Sequence, residues 1–94
     1  MTSMKRIRPR LDRFVDIMRE KLAVPANQQK EDWRVLDQAC LRSMLADEII
    51  ELDSALRGGR PGKVVAREAA DASNILMMIA DLALLEDRRK RLGI

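Results

Sequence analysis

Ninety-four residues allow one domain. The 18 basic and 15 acidic residues leave a net charge of +3, concentrated in "MKRIRPR" near one end and "RRKR" near the other. There is no histidine and one cysteine, so Ser-His-Asp and Cys-His catalysis, histidine-ligated zinc and an intrachain disulfide are all excluded.

The apolar residues are mainly Ala, Leu, Ile and Met, and the aromatics are Phe14 and Trp33 alone. This is a helical palette, and the expectation is an all-α fold forming one domain over residues 1–94. No apolar run is long enough for a membrane span, and the basic N-terminus lacks the hydrophobic core of a signal peptide. A lone cysteine fits a reducing compartment, so the cytoplasm is expected.

The first helix is predicted from about Pro9 to Ala23. Pro9 suits a first turn, and Leu11, Phe14, Val15, Met18 and Leu22 recur at helical spacing. "VPANQQKED" breaks the pattern and reads as a loop. The second helix is predicted to start near Asp32 and to run to about Arg57. "GGRPG" then punctuates the chain, with Gly58 or Gly59 ending the helix in the left-handed conformation. The third helix follows from about Lys63 to near Arg91.

The second and third helices are each apolar on more than one side. On the second, Leu41, Leu45, Leu52 and Leu56 form one stripe, and Trp33, Cys40, Met44 and Ala55 another. On the third, Val65, Ala69, Ala72, Leu76 and Ala83 form one, and Val64, Ile75, Met78, Ile79 and Leu82 the other. Helices of this kind need to be surrounded. The expectation is a helical hairpin core, three helices per chain, pairing into a four-helix-bundle-like homo-oligomer, either a dimer or a tetramer.

Acidic residues interrupt these apolar helices. Glu48 and Glu51 stand three apart in "DEIIEL", and Glu68 and Asp71 three apart in "EAAD". Each pair projects from one helix face, and the tight turn makes the two helices antiparallel neighbours. Only Asp71 has a basic residue one turn away on its own helix, Arg67. Gathered like charges must be neutralised, either by protons or by a divalent cation. An all-carboxylate set selects a hard ion, Mg²⁺ or Mn²⁺.

"DEIIEL" followed after a short turn by "EAADASNILMMIAD" resembles the MazG-like all-α nucleoside triphosphate pyrophosphohydrolases. Their signature is E-E-x-x-E on one helix and E-x-x-D on the next. "QKEDW" is similar to a Lys–Trp element of small family members. One departure is Asp47, which stands where the family motif begins with Glu. The resemblance implies cleavage of a (d)NTP to the (d)NMP and pyrophosphate by an oligomer. It implies Mg²⁺ held by Glu48, Glu51, Glu68 and Asp71, with Glu48 or Glu51 as catalytic base. Lys30, Trp33 and Asn74 look like substrate contacts, although a lone Trp is more often part of the core and Asn74 equally fits a buried interhelical hydrogen bond. The competing expectation is a non-catalytic helical dimer acting as an interaction or nucleic-acid-binding module through its basic ends. The acidic middle of the chain argues against nucleic acid.

Overall fold

The computed structural model describes residues 3–24 and 33–93. Three helices account for most of them: α1 over Met4–Ala23, α2 over Gln38–Arg57 and α3 over Gly62–Leu92. A single 3-10 turn, Trp33–Val35, precedes α2, and no strand occurs among the described residues. None of these helices is long and apolar enough to cross a membrane.

Helix α1 starts at Met4, ahead of the expected Pro9, which lies inside it. Proline removes one backbone donor and frees the carbonyl four residues back. Here that carbonyl belongs to Lys5 in a solvent-exposed stretch, where water can satisfy it, so the helix tolerates the loss.

Helix α2 begins at Gln38, later than expected, because Asp37 caps it. The Asp37 backbone is extended, and its Oδ1 accepts a 2.7 Å hydrogen bond from the Cys40 backbone N–H. An N-cap of this kind satisfies a donor that the helix cannot satisfy itself. The expected start at Asp32 lies outside the described residues.

The turn between α2 and α3 resolves the choice between its two glycines. Gly59 has φ +60°, the left-handed conformation that glycine adopts without Cβ strain. The Arg60 N–H donates to the Ala55 carbonyl at 3.1 Å, and the Gly59 N–H to that of Leu56 at 3.2 Å. This is a Schellman ending, and Pro61 then leads directly into α3. At the far end of the hairpin, Gln38 Nε2 donates to Glu86 Oε2 at 3.2 Å, as an antiparallel pair requires.

Leu41, Ile75, Met78 and Leu82 are the large apolar residues buried between the helices, flanked by Leu22, Trp33, Leu36, Met44, Leu45, Met77 and Ile79. The stripe Val64–Leu82 is thus the inward face of α3. Its other stripe splits, with Ala72 buried and Leu76 half exposed. On α2, Leu41 is fully buried but Leu56 is 59% exposed. At about 100° per residue, Leu56 has drifted roughly 60° around the helix from Leu41, whereas Ala55 stays within about 40° and is buried. Cys40, expected on an apolar stripe, is exposed and free.

Candidate metal centre

Both acidic pairs sit in helix interiors, where backbone geometry fixes the direction of each side chain. The inward face of α2 runs from Leu41 through Met44 and Leu45 to Glu48. On α3, Asp71 lies one turn and Glu68 two turns N-terminal to Ile75. The α2–α3 packing that buries Leu41 against Ile75 and Met78 therefore also brings the carboxylates together. Glu48, Glu68 and Asp71 are half-buried, and each offers one carboxylate oxygen such that all three lie within 4.8 Å of one another.

The fourth expected ligand, Glu51, is more exposed and lies outside the triad, close enough for its charge to act on Glu68. The Glu68 carboxyl is pushed above the ordinary glutamate value. Burial is the largest cause, followed by the negative charges of Glu51 and Asp71, with Lys21 acting in the opposite direction. Glu68 Oε2 is buried with no hydrogen-bond partner. Asp47 is exposed and does not belong to the triad.

Lys21 was not anticipated. It reaches from the last turn of α1 to Asp71, Nζ to Oδ2 at 3.2 Å, with both side chains largely buried. Its position did carry a signal. Lys21 falls three residues after Met18 on the apolar side of α1, where a cation requires a buried partner. Helix-local spacing could identify Arg67 as a neighbour of Asp71 but could not reveal a partner from α1.

The expected substrate contacts are dispersed. Asn74 is buried, and its Nδ2 donates to the Met18 carbonyl at 3.1 Å, so it bonds α3 to α1. Trp33 packs beside the core, and its indole N–H donates to Asp81 Oδ2 at 2.8 Å. Arg34 grips the same carboxylate in bidentate fashion, Nε to Oδ2 at 2.9 Å and Nη2 to Oδ1 at 3.0 Å. These donors, Arg34 first, hold Asp81 below the usual aspartate range. Asp81 lies ten residues beyond Asp71 on α3, about 15 Å along the helix axis. Trp33 is therefore anchored well away from the acidic triad. Lys30 lies outside the described residues.

No family model matches the chain, and no curated protein or solved structure matches it. The site is accordingly read from its own chemistry. Its donors are all carboxylate oxygens, they come from two helices fixed by a shared core, and one buried oxygen lacks a hydrogen bond. A hard divalent cation fits each of these features. Oxygens on one Mg²⁺ stand about 3–4 Å apart, so the triad would need only modest side-chain rotation to enclose it.

Proposed function

We propose that the chain is a Mg²⁺-dependent nucleotide pyrophosphohydrolase that cleaves a (d)NTP to the (d)NMP and pyrophosphate, with Mn²⁺ as an alternative ion. The observation that carries this reading is the convergence of Glu48, Glu68 and Asp71 within 4.8 Å, with the charge of Glu51 close by. Glu48, Glu68 and Asp71 hold the ion, and Glu51 completes the set. A divalent ion bound there supplies charge neutralisation for a triphosphate and makes water more acidic.

The remaining work falls to the chain. Glu51 is the most accessible of the four carboxylates, and it accepts the proton of the water that attacks the α-phosphorus. Lys21 holds Asp71 in place from α1 and limits the net negative charge of the site.

The same reading makes the protein a cytoplasmic homo-oligomer. Among the described residues the buried core contains four large apolar side chains, while ten others, among them Ile49, Leu56, Leu76 and Leu84, are at least 36% exposed. A domain this small gains stability by covering such residues with a second copy.

Incubation with a panel of NTPs and dNTPs plus Mg²⁺ should release pyrophosphate. Glu48→Gln and Glu51→Gln should each lower the rate by about 10²-fold or more. Release from none of the nucleotides would refute the enzymatic reading and favour a non-catalytic helical dimer.

A further inference from the structure

A cleft of about 520 Å³ opens where α2 meets the turn and the first turns of α3. Its volume lies within the range of small-molecule sites. Glu51 and Glu68 form one end, so the cleft is continuous with the acidic cluster. Ile50, Ala55 and Val64 form apolar walls. Ser54, one helical turn from Glu51, and Arg60, at the turn, contribute the remaining polar groups.

These features divide the cleft into zones. Phosphates belong at the carboxylate end, where a cation can join them to Glu51 and Glu68. Between that end and Arg60 stand the apolar walls, which suit a flat ring rather than a phosphate chain. Arg60 follows the left-handed Gly59, and its side chain folds back over the turn, its Cγ 3.9 Å from where a Cβ on Gly58 would lie. It forms no ion pair among the described residues. A guanidinium has five donors and no acceptor. Guanine presents O6 and N7 as acceptors and thymine or uracil presents O4; at the positions of these carbonyl oxygens adenine, which keeps N7, and cytosine present an exocyclic amino group. A donor facing that amino group is left unpaired, and such mismatches produce strong discrimination.

We propose that this cleft holds the nucleoside of the substrate and, through Arg60, favours the keto bases guanine and uracil or thymine over adenine and cytosine. This rests on the pyrophosphohydrolase reading for the triphosphate, but the nucleoside site can be measured separately. The first experiment is an amide chemical-shift titration of the metal-free protein with guanosine and with adenosine 5′-monophosphate. Shifts should centre on Ser54, Gly58, Arg60 and Val64 and be larger with the guanosine compound. The second is kcat/KM for GTP, UTP, ATP and CTP with Mg²⁺, for the wild type, Arg60→Ala and Arg60→Gln. The keto nucleotides should be favoured about tenfold, and the preference should disappear in Arg60→Ala. Gln both donates and accepts, so Arg60→Gln should restore activity on ATP and CTP. Arg60 is exposed, so neither change threatens folding. An equal fall in kcat/KM for all four nucleotides in Arg60→Ala would make Arg60 a phosphate contact and overturn the proposal. So would shifts that map elsewhere, or equal shifts with both nucleotides. Keto-selective shifts in the cleft without turnover would uphold the nucleoside site and refute the hydrolase reading alone.

Discussion

Replacing Glu68 with Gln should stabilise the metal-free protein. The substitution keeps the shape of the side chain and removes its charge. Carboxylate oxygens of Glu48 and Asp71 lie within 4.8 Å of one on Glu68. At that separation two unit charges repel by about 1 kcal/mol in water, and by about 3 kcal/mol at an effective dielectric of ~20. Partial solvent access and the opposing charge of Lys21 reduce the relief, so a net gain of about 1 kcal/mol is expected at pH 8. For a domain of this size that raises Tm by roughly 4–8 °C. Because folding raises the Glu68 pKa, the wild type sheds stability as pH rises from the ordinary glutamate value through the folded one. Below the ordinary value Glu68 is protonated in both states, so the two proteins should converge. Mg²⁺ at about a hundredfold above its Kd should then return about 2.7 kcal/mol to the wild type and little to the variant. Thermal melts across pH 4–8, with and without Mg²⁺, measure all of this. A Gln variant less stable than the wild type at pH 8 without metal, or a gap that persists at low pH, would refute the reasoning.

Lys21→Met removes the cation that competes for Asp71, so Mg²⁺ affinity measured calorimetrically should rise several-fold while metal-free stability falls. Met78→Ala should cost about 2–5 kcal/mol, because the fully buried Met78 side chain touches both helices of the hairpin, and denaturant unfolding should show the domain close to unfolded. Asp81→Asn should loosen the turn at Trp33, the only tryptophan, and shift its emission to the red. The wild type should show the same shift on acidification: folding lowers the Asp81 pKa, so this anchor is present above the ordinary aspartate value and lost as pH falls through the folded one. Leu56→Glu with Leu76→Glu should shift sedimentation from oligomer to monomer, and an unchanged mass would remove these two side chains from the interface.

The hairpin was legible because its signals are local. "GGRPG" specified a turn, helical spacing specified the apolar faces, and the paired spacing of Glu48, Glu51, Glu68 and Asp71 located the acidic cluster. Errors arose where two local preferences competed. Asp37, a better-placed cap than Asp32, took the start of α2, and the helix carried Pro9 in its second turn rather than its first. Partners distant in sequence were not legible. Nothing in the spacing joins Lys21 to Asp71 or Trp33 and Arg34 to Asp81, because those pairs depend on how α1 and the 3-10 turn pack on α3. The cleft at Arg60 was equally hidden, since it exists only once the Gly59 turn has folded the arginine back over α2.

The Gly58–Gly59 turn also has a kinetic consequence. Contacts across it are local in the chain, and local topologies fold quickly. Zipping this hairpin from its turn, however, must carry Glu51 toward Glu68 and then Glu48 toward Asp71 before much of the core beyond them has closed. Negative charge would then accumulate on the barrier itself. If so, acid or Mg²⁺ should speed refolding more than it slows unfolding, and the folding limb of a chevron plot should move while the unfolding limb stays nearly fixed. The chain would then reach its folded form fastest where protons or cations neutralise the cluster.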